Sequence, residues 1–169
     1  LFDSTLSLAV ATSSPDDAAT RTLDLLSALA SRSSYLALMT ERPNVLHRVV
    51  DLAARSEWAV RYLATHPLLL DELIDARSLA EVVNYDAWRT ELTRALDATG
   101  DDTEAGMDAL RHFQQAETFR LLLKDIAGQF SIETLSDHLS ALADVCVDVT
   151  LRKLLAASKL PMDATLTVI

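Results

Sequence analysis

Apolar residues recur every three or four positions along almost the whole chain, which is the spacing of amphipathic helices. The pattern predicts an all-α fold in which short helices are followed by a long antiparallel helical hairpin. Prolines and capping residues punctuate the first part, and proline is tolerated in the first turn of a helix but not in its interior. The predicted short helices run from Ser14-Pro15 to about Ala30, from about Ser34 to Glu41, from Pro43, after Ser56 and from Pro67.

The second part of the chain carries longer helical patterns. One helix is predicted after Asn84, ending near Gly100, and Asp101 with Glu104 resembles a capping box at the start of the next. That helix is expected to reach about Ala127, with Gly128 in the left-handed position that commonly ends helices.

The last predicted helix runs from about Glu133 to Ala157, after a short polar loop. Two long helices joined by so short a loop are expected to lie antiparallel, as a hairpin from Thr103 to Ala157. The terminal letters ATLTVI read as a possible truncated β-strand. The sequence therefore predicts a short-helix connecting region at 1–84, the hairpin region at 85–160, and a further segment at 161–169.

The apolar faces of the two long helices give a predicted core. On the first, the expected buried residues are Ala109, Phe113, Ala116, Phe119, Leu122, Leu123 and Ile126. On the second, they are Leu135, Leu139, Leu142, Val145, Cys146 and Val149, with Asp137, Asp144, Asp148 and Arg152 facing water.

Composition narrows the possible partners. The 169 residues, 50% of them apolar, suit a globular core, and the net charge of -10 argues against nucleic acid and anionic membranes as partners. No apolar run approaches the ~20 residues of a membrane span. The single cysteine, Cys146, excludes a disulfide framework and is expected to be a buried thiol, which favours a cytoplasmic setting.

No metal site and no catalytic residue is predicted. The four histidines and one cysteine lack zinc-ligand spacing. Asp144 and Asp148 lie one turn apart, but a helical di-metal site also needs Glu-x-x-His pairs, so a solvated face explains them better. His138 follows Asp137 and could act as a base, yet no nucleophile can be placed beside it.

Positive side chains follow the first long helix. Arg111, Arg120 and Lys124, near Gln115, are candidate contacts for a nucleotide phosphate or a neighbouring catalytic domain. The alternative is ordinary ion pairing with acids such as Asp108 and Glu117. The chain has no glycine-rich phosphate loop, so cofactor binding by this chain itself is not expected.

Three blocks in order resemble a known family. They read SRSSYLALMTERPNVLHRVVDLAARSEWAVRYLATHPLLLDELID, then MDALRHFQQAETFRLLLKDIAG, then TLSDHLSALAD. Together they resemble the helical region between the two nucleotidyltransferase domains of the glutamine synthetase adenylyltransferase/adenylyl-removing family. The resemblance covers about residues 20–169.

The resemblance implies a parent enzyme that uses ATP and Mg²⁺ to add AMP to glutamine synthetase in one half and removes AMP in the other. It also implies control by the PII signalling protein and glutamine, and contact with the adjacent nucleotidyltransferase domains. The family's catalytic motif is a Gly-Gly or Gly-Ser turn followed by Asp-x-Asp, whose carboxylates hold the metal. This sequence contains no such motif, so no catalytic residue is carried over to it.

The expectation is therefore a fragment of an enzyme that controls nitrogen assimilation, in which the fragment is a non-catalytic helical linker or support. ATLTVI resembles the first strand of the second catalytic domain, cut before its metal-binding acids. The alternative is a stand-alone helical adaptor that binds a partner through the surface from His66 to Ile74 or through the acidic face of the last helix.

Overall fold

A computed structural model describes residues 1–74 and 81–158, and within these ranges the protein is all-α, with no strand. The predicted fold class is confirmed. The helices are α1 Phe2–Val10, α2 Pro15–Ala28, α3 Ser33–Glu41, α4 Pro43–Arg55, α5 Glu57–Thr65, the 3₁₀ helix η1 Pro67–Leu73, α6 Tyr85–Asp97, α7 Thr103–Ile126 and α8 Ile132–Ser158. The predicted terminal strand at ATLTVI lies outside the described residues.

Local signals set most helix starts, as the sequence predicted. Pro15, Pro43 and Pro67 each occupy the first position of a helix. The Ser56 hydroxyl accepts a hydrogen bond from the Ala59 backbone N–H at 3.2 Å. Asn84 caps α6 through its side-chain oxygen. These devices satisfy the backbone donors that the first turn of a helix leaves without an internal partner.

Two local features differ from expectation. Helix α1 was not anticipated, because its buried positions are Thr5 and Ala9 while Phe2, Leu6 and Val10 are exposed. The expected cap Asp101 is also wrong: Asp102 accepts from the Ala105 N–H at 3.0 Å. The Asp102 N–H donates to the Thr99 carbonyl, so Asp101 belongs to the preceding turn and Asp102 is the cap. The helix itself begins at Thr103, the residue at which the predicted hairpin starts.

The end of α7 follows prediction. Gly128 has a φ of 74°, in the left-handed region. The Gln129 N–H donates to the Lys124 carbonyl at 3.0 Å. This bond closes the final turn and gives a partner to a carbonyl that has none within the helix. The antiparallel course of α7 and α8 stays a prediction.

The chain divides into two compact units, the first of Leu1–Glu81 with Phe119–Ser131 and the second of Val82–Thr118 with Ile132–Ile169. Helix α7 contributes residues to both. The three-part division of the chain into domains predicted from the sequence stays a prediction.

In the first unit, α4 lies at the centre. Helices α1, α2, α3, α5 and η1 all pack on it, and α1 and α5 also pack on α2. Arg21 Nη1 donates to the Ala53 carbonyl at 2.9 Å and so joins α2 to α4. The end of α7 belongs to this unit, where the Phe119 ring is stacked 6.3 Å from the Tyr62 ring.

In the second unit, α6 packs on α8. Tyr85 contacts His138 near the start of both helices, Arg89 contacts Asp148, and Lys153 binds the Leu96 carbonyl near their ends. Later residues of α6 contact later residues of α8, so the two helices run parallel.

The predicted core of the long helices is largely confirmed. Phe113, Ala116, Phe119 and Leu123 are buried on α7, and Leu142, Val145 and Val149 are buried on α8; Ala109, Leu122, Ile126, Leu135 and Cys146 are half-buried. Leu139 was expected to be buried and is 39% exposed, while Leu121 and Leu155 are buried although they were not expected to be. No helix in the described ranges is long and apolar enough to cross a membrane.

Candidate functional site

The three positive residues predicted as phosphate or domain contacts have intramolecular partners in the structure. Arg111 is exposed, and its Nη1 lies 2.7 Å from Asp108 Oδ1, one turn back on α7. The sequence analysis gave this ion pair as the alternative to a phosphate or domain contact. An exposed pair of this kind contributes at most about 1 kcal/mol, so the Arg111 guanidinium remains accessible to a neighbour.

Arg120 forms a two-pronged ion pair with Glu72 of η1. Its Nε lies 2.5 Å from Oε2 and its Nη2 3.1 Å from Oε1. Both side chains are mostly buried, 28% and 15% exposed. Parallel N–H···O bonds between charged groups are stronger and more directional than neutral ones.

Lys124 is one turn further along α7 and is 5% exposed. Its ammonium group donates to the backbone carbonyl of Glu81. A buried ammonium requires such partners, because desolvation without them is strongly unfavourable.

Arg120 and Lys124 therefore hold two points of the chain, Glu72 and Glu81, against the end of α7. We call this set of four residues the α7 clasp. All four belong to the first unit. The arrangement fixes the last two turns of α7 within that unit. Replacing Glu72 would remove the carboxylate that the partly buried Arg120 guanidinium binds.

A second charged cluster centres on Asp148, which the sequence placed on a solvated face. Its Oδ1 accepts from Arg152 Nε at 2.9 Å and its Oδ2 from Arg89 Nη1 at 2.5 Å. The hydrogen bond from Arg152, with the charges of both arginines, holds the pKa of Asp148 below its ordinary value. Asp144, the other carboxylate considered for metal, is exposed. Among the described residues, no three His, Cys, Asp or Glu side chains are grouped to hold a metal ion.

The remaining chemical candidates are also engaged or shielded. His138, considered as a base, has its Nδ1 2.7 Å from the Tyr85 hydroxyl. Cys146 is a free, half-buried thiol, and burial raises its pKa. A higher pKa reduces the thiolate fraction at neutral pH, so this cysteine is suited to packing rather than to nucleophilic chemistry.

The surface from His66 to Ile74, predicted as a docking face for an adaptor, is mostly core. Leu69, Leu70 and Leu73 are buried, and only Leu68 among its leucines is exposed. Beside it, the Trp58 and Tyr62 rings of α5 are stacked with centroids 4.8 Å apart, and the His66 ring, just after α5, lies tilted 4.4 Å from Tyr62. Burial raises the pKa of Tyr62.

Sequence reasoning missed the acidic and carbonyl partners of the clasp. Glu72 lies 48 residues from Arg120, and Glu81 lies 43 residues from Lys124. Among the partners of the three positive candidates, Asp108 is the one whose spacing, three residues before Arg111, can be read from the sequence.

Comparison with known proteins gives one consistent result. The family model for glutamate-ammonia ligase adenylyltransferase matches residues 46–165. Curated proteins named bifunctional glutamine synthetase adenylyltransferase/adenylyl-removing enzyme are similar over most of the chain. The protein of Aromatoleum aromaticum is 44% identical over 151 residues, which are 89% of this chain and 16% of that protein. The protein of Chromobacterium violaceum is 46% identical over 137 residues, 81% of this chain and 15% of that protein. The chain thus spans about a sixth of the length of these relatives.

Proposed function

Because the chain belongs to the glutamate-ammonia ligase adenylyltransferase family, we propose that it is a non-catalytic helical support within a longer enzyme that adds AMP to glutamine synthetase and removes it. The observation that carries the proposal is the 44% identity that extends over 89% of this chain but only 16% of the relative. A helical segment of this size, without the Asp-x-Asp carboxylates that nucleotidyl transfer requires, suits support rather than chemistry.

The support is provided by α7. Its 24 residues form a rod of about 36 Å at ~1.5 Å per residue. The clasp anchors one end of this rod by charged contacts that resist bending and sliding. A regulator bound near one end could then alter a catalytic domain at the other, provided it binds two arrangements with different affinity.

Cofactors and partners belong to the longer enzyme. ATP and Mg²⁺ would bind at carboxylates outside this chain, and the PII protein would act through the parent enzyme in the cytoplasm. Adjacent nucleotidyltransferase domains are the immediate neighbours. Arg111, which is exposed, is the most accessible candidate for a contact with them or with a nucleotide phosphate. Arg120 and Lys124 would support this contact indirectly, because they hold in place α7, the helix that carries Arg111.

Transfer of labelled AMP tests this proposal. Glutamine synthetase and Mg-ATP labelled in the α-phosphate are incubated with the 169-residue chain or with the natural protein that contains it. We expect label on glutamine synthetase only with the longer protein, and none when Mg²⁺ is chelated. Label transferred by the 169-residue chain would overturn the non-catalytic assignment.

A further inference from the structure

The first unit contains a groove that the proposed function does not use. It lies between α4 and the end of α7 and encloses about 340 Å³. This volume is at the lower end of the range for small-molecule sites in proteins. One wall is polar and is formed by a single face of α4, with His47, Arg48, Asp51 and Arg55.

The polar wall holds hydrogen-bond donors for which the described residues supply no acceptor. Arg48 Nη1 donates to the Leu73 carbonyl at 2.5 Å, which positions the guanidinium while leaving its Nε and Nη2 without a partner in the described part of the chain. Arg55 Nε bonds Asp51 at 3.1 Å, and within the same ranges its two Nη groups have no partner. Arginine offers five N–H donors in a planar fork that matches a carboxylate.

The charge and the apolar surface of the groove together indicate which class of ligand it would bind. The groove carries two arginines against one aspartate, in a chain whose net charge is -10. The end of α7 contributes apolar residues to the lining, namely Leu123, Ile126 and Ala127. An inorganic anion would satisfy the arginines but leave these apolar residues uncovered, whereas a neutral apolar molecule would leave the guanidinium donors unused.

We propose that the groove binds a small aliphatic carboxylate, with its carboxylate on Arg48 and Arg55 and its hydrocarbon part on Leu123 and Ile126. His47, an exposed residue of the same wall, adds a further donor. The site is independent of AMP transfer and stands whether or not the longer enzyme modifies glutamine synthetase.

Titration of the ¹⁵N-labelled chain with hexanoate, followed by NMR, tests the site. We expect amide shifts concentrated at residues 47–55 and 123–127, with a dissociation constant of about 1 mM, which is reasonable for eight non-hydrogen atoms. Hexanamide has the same hydrocarbon without the charge and is expected to bind about tenfold more weakly, the loss of one charge-assisted contact. Inorganic phosphate, which lacks the hydrocarbon, should also bind about tenfold more weakly.

Two matched arginine variants locate the contact. Arg55 and Arg61 are both exposed and both paired with an acid one turn back on their helix, but Arg61 is on α5 and does not line the groove. Arg55→Gln should weaken hexanoate binding about tenfold, while Arg61→Gln should leave it unchanged. Both variants should keep the amide spectrum of a folded chain, because exposed pairs add little stability. Absent or scattered shifts, equal binding of hexanamide or phosphate, or equal effects of the two variants would overturn the proposal.

Discussion

Asp148 is held between two guanidinium groups, and its ionisation therefore contributes to the stability of the second unit. Arg152 lies on the same helix, and Arg89 reaches across from α6. These contacts favour the charged carboxylate and lower its pKa from the ordinary value of 3.8. The contribution is present above that ordinary value and is lost as the pH falls through the lower folded value.

Asp148→Asn should therefore change the dependence of stability on pH. The free energy of unfolding should fall at pH 7 by less than about 1 kcal/mol, because the pair is partly exposed and screened. From about pH 4 downward, the variant should lose stability less steeply than the native chain. Urea unfolding followed by circular dichroism at pH 7 and at pH 3 measures both effects. Asp144→Asn, on the exposed side of α8, is the control, and an equal change in both variants would contradict the assignment.

For individual ion pairs, the sequence predicted a partner correctly only where that partner lies within one helical turn. The pair of Asp108 and Arg111 follows from helix geometry. The bond from Arg120 to Glu72 depends on how η1 packs against α7, which no local pattern encodes. The same holds for Arg89 and Asp148, whose positions 59 residues apart gave no signal.

At the scale of elements, one glycine in the first turn of α7 and one just after its end have opposite roles. Gly128 ends the helix at a φ of 74°, which only glycine adopts without strain. Gly106 lies inside α7, and a Cβ there would meet Thr99 Oγ1 at an ordinary contact distance of 3.5 Å.

Gly128→Ala should therefore lower the free energy of unfolding by about 1 kcal/mol, whereas Gly106→Ala should raise it by up to about 1 kcal/mol. Urea unfolding of the two variants and the native chain provides the comparison. Destabilisation by Gly106→Ala as large as that by Gly128→Ala would contradict the assigned conformations.

Helix boundaries were predictable because their causes are short-range. Proline at the first position and capping by Ser56 and Asn84 act within three residues. Helix α1 was not predictable, because the positions that pack inward are Thr5 and Ala9 while Phe2 and Val10 face out. Nor could the sequence tell that Pro67 begins a 3₁₀ helix, since the hydrogen-bonding pattern depends on how the turn packs.

At the scale of the whole molecule, the family was recognised from three helical blocks, and the similarity of curated proteins confirms it. The sequence did not indicate that the end of α7 belongs to the first unit, because α7 is one uninterrupted pattern that contributes to both units. The function of the longer enzyme stays a proposal, since the chain spans only about a sixth of its relatives. The supporting role proposed for α7 predicts that damage to the clasp changes an activity whose catalytic residues lie elsewhere.

Exchanging the clasp charges in the natural protein that contains this chain is the most direct test of that role. Arg120→Glu and Glu72→Arg each place like charges together in a partly buried site, which is expected to lower local stability by about 3 kcal/mol. We expect each to slow labelled AMP transfer to glutamine synthetase about tenfold, within the usual range of coupling between sites. The double exchange should restore much of the rate, because it re-forms the ion pair. Native rates in both single variants, with the proteins folded, would show that the clasp does not support catalysis and would contradict the proposed role of this chain.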